Sequence, residues 1–180
     1  MMETDRQAQL SYWISQQHQG QMVKRTTRPY FEHLQTVAEM AAPFAELGFE
    51  VGLCHDLLEK TSVAAKDFYR ALVRFGYQPD EADVIHSQVT ELTDVYHKTA
   101  YPDLNKQERK ELEARRLAEI SPGAQTVKYA DLIDNIAWVQ RYDPNNAGRY
   151  LARKKTLLLS LNRGNPLLRR EALHIISKRC

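Results

Sequence analysis

Apolar residues recur along this chain at spacings of three and four, which place them on one face of an α-helix. Leu10, Trp13 and Ile14 show the pattern in the first segment, and residues 34–41 repeat it before a break expected at Pro43. The chain contains only 7 Gly and 7 Pro, too few for a turn-rich β architecture. We therefore predict an all-α fold of about eight to nine helices.

Capping residues and breaks in the apolar pattern predict the helix boundaries. A short apolar helix over residues 51–60 is expected to end at residues 61–62, which would also cap the next helix, 63–75. Pro79 is expected to open a helix that runs to position 92, and residues 93–106 form the longest predicted loop. Later helices are predicted over 107–120, 124–140, 145–162 and 166–178.

Composition and length place the chain among globular proteins. It has 180 residues, of which 43% are hydrophobic and 27% charged. This is long enough to bury a core and too apolar for a disordered chain. We find no internal repeat, low-complexity tract or interdomain linker. We therefore predict that residues 1–180 form a single domain.

Two features of the sequence bear on its compartment. No segment approaches the roughly 18 apolar residues that span a bilayer, and the polar N-terminus MMETDRQAQL lacks the apolar core of a signal peptide. Cys54 and Cys180 have no metal-site spacing, and one pair makes no disulfide framework. We expect a cytoplasmic location and no membrane partner.

Positive charge is concentrated in the helical C-terminal segment 145–180. The formal net charge of the chain is +2, but residues 149–180 carry nine Lys and Arg against one acid, Glu171. Their charge of +8 leaves −6 for the preceding residues. This segment could contact nucleic acid, an anionic substrate or an acidic partner. A solvated helix face is the favoured interpretation, and nucleic acid is the less favoured partner.

Candidate chemistry begins in GLCHDLLEKT, residues 52–61, where His55 and Asp56 are adjacent in an apolar run. A buried carboxylate requires a partner or a cation, and a divalent metal accepts imidazole nitrogen and carboxylate oxygen as ligands. Glu59 follows His55 by four positions and Lys60 follows Asp56 by four, so each pair shares a helix face. Glu59 could therefore orient or deprotonate a water at the metal.

Two further clusters supply polar side chains. In KYADLIDN, the residues Asp131, Asp134 and Asn135 interrupt an apolar helix, and an exposed polar stripe explains them equally well. In RPYFEHL, His33 lies in the first turn of an apolar helix, just after several basic residues. Two imidazoles and two carboxylates would suit Mn²⁺, Fe²⁺ or a similar ion, with open positions for water and a phosphate oxygen.

In their order along the chain, these motifs resemble the H…HD…D signature of HD-domain metal-dependent phosphohydrolases. KRTTRPYFEHLQTVA, GLCHDLLEKT and VKYADLIDN are similar to three segments of RelA/SpoT-type alarmone hydrolases: the Pro-Tyr stretch before the first metal histidine, the HD-x-x-E-D-T helix and the K-x-A-D-x-x-x-N helix. VTELTD, residues 89–94, is similar to a fourth, Thr-rich strip. All four lie between residues 18 and 138. With no synthetase or regulatory domain expected, the resemblance is to stand-alone small alarmone hydrolases. These are all-α, Mn²⁺-dependent enzymes that remove the 3′-pyrophosphate of ppGpp-type nucleotides.

The resemblance implies roles for particular residues, with Mn²⁺ as the expected ion. The implied metal ligands are His33, His55, Asp56 and Asp131. Glu59 would help to activate the attacking water, Asn135 would bind the substrate near its ribose, and Tyr30 would line the mouth of the pocket. The basic residues expected to meet phosphates are Lys24, Arg25 and Arg28. An extra residue in this loop leaves open which of Lys24 and Arg25 takes the place of the family's arginine near the nucleobase.

One position departs from the family pattern. Where the alarmone hydrolases have Glu-Asp, this chain has Glu59 and Lys60, a change of two charge units. One charge pair about 4 Å apart is worth roughly 4 kcal/mol at an effective dielectric of about 20. Lys60 could extend to solvent or pair with an acid, bind a substrate phosphate, or make the site a poor hydrolase. We count Lys60 with Glu59 among the catalytic candidates and expect a competent enzyme.

The expected function is hydrolysis of the 3′-pyrophosphate of (p)ppGpp-type nucleotides. Two alternatives stay open at this point. An HD hydrolase could act on another nucleotide or phosphoester, or the Glu-Lys departure could indicate a nucleotide-binding module with weak turnover. A small nucleotide is the expected partner in each case, and a homo-oligomer is left open.

Overall fold

The computed structural model describes residues 5–178; Cys180 and the first four residues of the polar N-terminus lie outside them. Within that range the β pairing consists of one isolated antiparallel bridge between Met22 and Pro29. The remaining order is ten helices: α1 (Asp5–Gln17), α2 (Tyr30–Ala41), α3 (Gly48–Cys54), α4 (Leu57–Lys60), α5 (Ala65–Arg74), α6 (Pro79–Leu92), α7 (Lys106–Glu119), α8 (Pro122–Tyr142), α9 (Pro144–Ser160) and α10 (Pro166–Ser177). Nine of these are longer than one turn, so the predicted all-α fold is confirmed.

Local capping chemistry explains four of the helix starts among the described residues. At α6, the Gln78 side chain and Glu81 form a capping box around Pro79, where the sequence predicts the start. The side chains of Asn105, Ser121 and Asn165 accept hydrogen bonds from the first turns of the helices that follow them. The loop predicted over 93–106 is also present, because α6 ends at Leu92 and α7 begins at Lys106.

The α8 helix lies at the centre of the fold, with more than half of its length buried. It packs against α2, α3, α6, α9 and α10. The α2 and α3 helices also approach each other closely, because Gly52 has no side chain. A Cβ atom at Gly52 would lie 2.7 Å from the Ala38 Cα atom. This close packing fixes the position of the end of α3 relative to α2. Among the described residues, no helix is both long and apolar enough to cross a bilayer.

The predicted helix over residues 51–60 is wrong at its centre. The α3 helix ends at Cys54, the chain turns at His55 and Asp56, and the single turn of α4 follows. The His55 Nδ1–H group donates to the Gly52 carbonyl oxygen at 2.7 Å. That oxygen is the acceptor that residue 56 would use in a continuous helix. The apolar pattern runs on through the turn, so periodicity alone could not locate it.

The predicted cap of the next helix is also wrong. The α5 helix begins at Ala65, two residues later than predicted, and no side chain caps it. The Thr61 hydroxyl instead ends α4, because it donates to the Leu57 carbonyl oxygen at 2.7 Å and accepts from the Val63 amide at 3.1 Å. A hydroxyl residue between two helices can terminate the first as readily as it starts the second.

Candidate metal-centred active site

Three buried side chains from separate parts of the chain meet beside α8. His33 lies in the first turns of α2, His55 follows α3, and Asp131 lies in the middle of α8. One ligand atom from each falls within 4.8 Å of the others. The Asp131 Oδ1 atom is 3.6 Å from His33 Nε2 and 3.8 Å from His55 Nε2. The structure therefore brings together three of the four residues implied as metal ligands.

Both imidazole rings are oriented by hydrogen bonds on the far side of the ring. The His33 Nδ1–H group donates to Asp134 Oδ2 at 2.6 Å, and His55 Nδ1–H donates to the Gly52 carbonyl oxygen. Each Nε2 atom is thereby directed at Asp131, where a divalent ion would take the place of any proton on the ring. The His55 Nε2 atom is buried and has no hydrogen-bond partner. Two such nitrogens and one carboxylate oxygen fit a divalent ion.

Asp56, the fourth implied ligand, lies at the edge of this cluster. Its Oδ2 atom is 3.3 Å from His55 Nε2 and accepts a hydrogen bond from the Tyr30 hydroxyl. Its Oδ1 atom is 3.5 Å from Lys60 Nζ. Asp56 is thus held beside the cluster by two other protein groups. Its role as a ligand stays a prediction, and the hydroxyl of Tyr30 supports this carboxylate as well as lying near the pocket.

Lys60 faces the site and pairs with acids, while its effects on phosphate binding and on turnover stay predictions. Its Nζ atom lies 2.8 Å from Glu59 Oε1 and 5.9 Å from the centre of the Tyr30 ring. About a third of the side chain, 33%, is exposed. Lys60 therefore pairs with acids, and the Glu59 carboxylate implied in catalysis is held in an ion pair.

Both oxygens of Asp131 are engaged by residues on the same helix. The Lys128 ammonium lies 2.8 Å from Oδ2, and the Asn135 amide nitrogen donates to Oδ1. Asn135 is therefore close enough to the centre to contact a bound ligand, and its predicted place near the ribose stays a prediction. Lys128 was not among the predicted site residues, although it lies three positions before Asp131 in the same motif.

The electrostatics of the cluster favour a positive charge at its centre. Burial by itself would lower the pKa of His55, but the Asp56 and Asp131 carboxylates outweigh burial and raise that pKa to about 9. Burial would raise the pKa of Asp131, but the Lys128 ammonium and the two imidazoles lower it well below its usual range. Burial also opposes ionisation of Asp56, but His55 and Lys60 lower its pKa well below its usual range. Both carboxylates are therefore ionised at neutral pH and supply the field that a cation requires.

The basic loop before α2 is only partly directed at the cluster. Arg28 lies 3.4 Å from Asp134 and donates to the Thr36 hydroxyl at 2.8 Å, so it supports the residue that orients His33. Arg25 has a φ of 61° and pairs with Asp143 at 2.8 Å. In the structure both arginines bind protein groups. The contacts of Arg25 and Arg28 with phosphate therefore stay predictions.

An open cavity of about 750 Å³ lies beside this loop. It is lined by residues 25–29 together with Glu32 and Tyr142. Lys24 is exposed next to it, and its backbone carbonyl accepts a hydrogen bond from the Trp138 indole at 2.9 Å. The cavity is large enough for part of a nucleotide, and Arg28 connects it to the metal cluster through Asp134.

Two supports of the site were missed by sequence reasoning. Asp134 appears in the sequence as part of a polar stripe, but only the fold places it against His33. His18 is buried, with 2% of its surface exposed, and its ring stacks on Tyr30 with ring centres 5.6 Å apart. Its Nδ1 atom is hydrogen-bonded to the Gln21 amide oxygen at 2.9 Å. The Gln21 amide nitrogen in turn donates to the Lys60 carbonyl oxygen at 2.9 Å. This chain of contacts ties the basic loop to α4.

Comparisons with known proteins identify the fold. No family model matches the sequence, and no curated protein matches it either. Solved structures do match. One of them, described as "A metazoan ortholog of SpoT hydrolyzes ppGpp and plays a role in starvation responses", is 24% identical and superimposes with a TM-score of 0.79. The match covers 99% of this chain and 98% of the other. The chain therefore shares the all-α fold of that protein over nearly its whole length.

Proposed function

We propose that this protein is a metal-dependent phosphohydrolase that removes the 3′-pyrophosphate of (p)ppGpp-type nucleotides. The observation that carries the proposal is the buried convergence of His33, His55 and Asp131, with both imidazole Nε2 atoms directed at one carboxylate. The activity described for the similar metazoan protein supports the substrate class.

The donor set would hold one divalent ion, which we take to be Mn²⁺. His33, His55 and Asp131 would be ligands, and Asp56 would complete the set by turning one oxygen from its present partners. When bound, the ion supplies positive charge that stabilises charge developing on phosphate oxygens and lowers the pKa of water. Asp134 and the Gly52 carbonyl hold the two imidazoles in the tautomer that binding requires.

Glu59 is the base that this chain offers to the attacking water. Its carboxylate is only partly buried, at the rim of the cluster, and Lys60 holds it in place. The water loses a proton to Glu59 as its oxygen bonds to phosphorus. The bond from phosphorus to the ribose 3′-oxygen breaks, and that oxygen takes up the proton, which leaves a 3′-hydroxyl and restores the Glu59 carboxylate. Pyrophosphate and a nucleoside 5′-diphosphate are the products. Lys60 remains charged throughout, and it offsets the repulsion between the acids and the anionic substrate.

The remaining predicted residues would position the nucleotide. Arg25 and Arg28 line the open cavity, and Lys24 is exposed next to them in the same loop. All three would meet phosphate or the nucleobase there. Tyr30 would form the wall between this cavity and Asp56, and Asn135 would reach the ribose from the side of α8. We also propose a single catalytic domain and a cytoplasmic location.

A nucleotide-binding module with weak turnover is the second candidate. The observation that favours it is the 2.8 Å pair between Lys60 and Glu59, which occupies the proposed base.

A substrate panel separates the candidates. With Mn²⁺, a ppGpp hydrolase releases pyrophosphate from guanosine 3′,5′-bis(diphosphate) but no phosphate from nucleoside 5′-monophosphates or simple phosphoesters. Tight binding without release would support the module, and turnover of the other compounds alone would overturn the substrate proposed here.

A further inference from the structure

The α8 helix places a lysine against the metal cluster that the proposed reaction has not used. Lys128 lies about one helical turn before Asp131, and its Nζ atom is 2.8 Å from Asp131 Oδ2. Only 17% of the Lys128 side chain and 8% of the Asp131 side chain are exposed. A lysine in contact with a carboxylate keeps its charge at neutral pH. A fixed positive charge therefore lies directly on one of the implied metal ligands.

The two oxygens of Asp131 have different neighbours. Oδ1 lies 3.6 Å from His33 Nε2 and 3.8 Å from His55 Nε2. Oδ2 binds the Lys128 ammonium instead. The carboxylate therefore lies between the two imidazole nitrogens and a lysine charge. A metal ion bound by the imidazoles would share Oδ1 with them, while Oδ2 is already taken by a cation that belongs to the protein.

A second metal ion would have to compete with this lysine. Two-metal phosphohydrolases hold two ions roughly 3.5–4 Å apart, close enough for one carboxylate to bind both. Here a second ion at Oδ2 would displace Lys128 and leave its charge largely buried without a partner, which is strongly destabilising. Within residues 5–178, His33, His55 and Asp131 form the one group of three potential ligand side chains with all ligand atoms inside 4.8 Å. The protein therefore offers no other place for a second ion at this cluster.

The charges of the cluster suit one divalent ion. Its ion pairs join three carboxylates, on Asp56, Glu59 and Asp131, to two ammonium groups, on Lys60 and Lys128. With the imidazoles neutral, as metal ligands must be, these groups carry one excess negative charge. One divalent ion would leave one positive charge, which suits a bound phosphate. A second ion would leave three positive charges beside buried ligands.

We propose that the Lys128 ammonium takes the place of a second metal ion and limits this centre to a single divalent ion. The inference rests on the metal site of the proposed function and assigns a cause to its stoichiometry. Lys128 is a positioning residue, because it acts through Asp131: it holds the carboxylate with only Oδ1 towards the imidazoles. It also supplies, from the protein, a positive charge that a two-metal centre would take from solution.

The test measures how many Mn²⁺ ions each variant binds, with no nucleotide present. Metal-free protein is titrated with Mn²⁺ by calorimetry, and electron paramagnetic resonance then distinguishes an isolated ion from a coupled pair. The wild type should bind a single isolated ion. Lys128→Met should take up a second ion, coupled to the first, because Asp131 Oδ2 is free and water can complete the coordination. Lys128→Arg keeps the charge and should return to one ion.

Two further variants serve as controls. Lys66→Met removes an exposed lysine on α5 and should bind one ion, as the wild type does. Lys128→Gln removes the charge but stays polar, so it gives the same test if thermal unfolding shows that Lys128→Met does not fold. A role for Lys128 as a mere support of Asp131 predicts the opposite change, which is weaker binding of one ion in both uncharged variants.

The outcomes separate this inference from the proposed function. One ion in the wild type and a coupled pair in the uncharged variants would support the role of Lys128, even if the protein does not turn over guanosine 3′,5′-bis(diphosphate). In that case the hydrolase proposal alone fails. A coupled pair in the wild type, or one ion in every variant, overturns the role of Lys128 and leaves hydrolysis open. A wild type that binds no ion overturns both.

Discussion

Lys60 Nζ lies 2.8 Å from Glu59 Oε1, so the residue that departs from the alarmone hydrolase pattern binds directly to the proposed base. The same ammonium is 3.5 Å from Asp56 Oδ1. Burial would lower the pKa of Lys60, but the Asp56 and Glu59 carboxylates outweigh it and raise the pKa. Lys60 is therefore charged at neutral pH, and it neutralises acids that would otherwise repel an anionic substrate.

Removal of the Lys60 charge should reduce activity. In Lys60→Met, Asp56 and Glu59 lose their shared cation, and repulsion of phosphate should lower kcat/KM by about tenfold, or roughly 1.4 kcal/mol. Steady-state kinetics with guanosine 3′,5′-bis(diphosphate) measure this, and Lys66→Met, at an exposed position on α5, is the matched control. A more active Lys60→Met enzyme would mean that Lys60 restrains Glu59 rather than assisting it.

Metal binding should stabilise the fold through His55. An ion at 100 times its Kd adds about 2.7 kcal/mol to the free energy of unfolding. Thermal unfolding with and without Mn²⁺ should therefore show a higher Tm for the wild type and no shift for His55→Ala. His97→Ala changes a histidine in the exposed loop before α7 and should keep the full shift. An unchanged Mn²⁺ shift in His55→Ala would place the ion elsewhere.

Asp134 should affect metal affinity without contacting the ion. Its Oδ2 atom accepts the His33 Nδ1 proton at 2.6 Å, and loss of such a support weakens metal binding by about 10- to 100-fold. Calorimetric titration of Asp134→Ala with Mn²⁺ tests this, with Asp134→Asn retaining an acceptor and most of the affinity. Asp83→Ala, an exposed position on α6, serves as the control. Unaltered affinity in Asp134→Ala would show that the ring of His33 needs no such partner.

Gly52 should be intolerant of a side chain, because its Cβ would lie 2.7 Å from the Ala38 Cα atom. Overpacking of this kind costs about 1–3 kcal/mol. Denaturant unfolding of Gly52→Ala should show this loss, and Mn²⁺ affinity should fall with it, since the helices that carry His33 and His55 are pushed apart. Gly148→Ala, where a Cβ meets open space on α9, should be neutral or slightly stabilising. A fully stable Gly52→Ala protein would contradict the packing of α2 on α3.

Sequence reasoning locates most helices because apolar periodicity and capping residues act locally. It fails at His55 and Asp56, where a side-chain hydrogen bond to Gly52 interrupts a helix without changing the apolar pattern. It also leaves the orientation of Lys60 undecided, since that depends on two acids whose positions are set by the fold. Asp134 is brought against His33 by packing between α8 and α2, which no local motif encodes.

The most direct test of the account is pyrophosphate release from guanosine 3′,5′-bis(diphosphate). Protein is stripped of metal, reloaded with Mn²⁺ and compared with His55→Ala prepared in the same way. We expect release by the wild type that disappears on chelation and is absent in His55→Ala. Absence of release from wild-type protein that has taken up Mn²⁺, or equal release from His55→Ala, would contradict hydrolysis at this site.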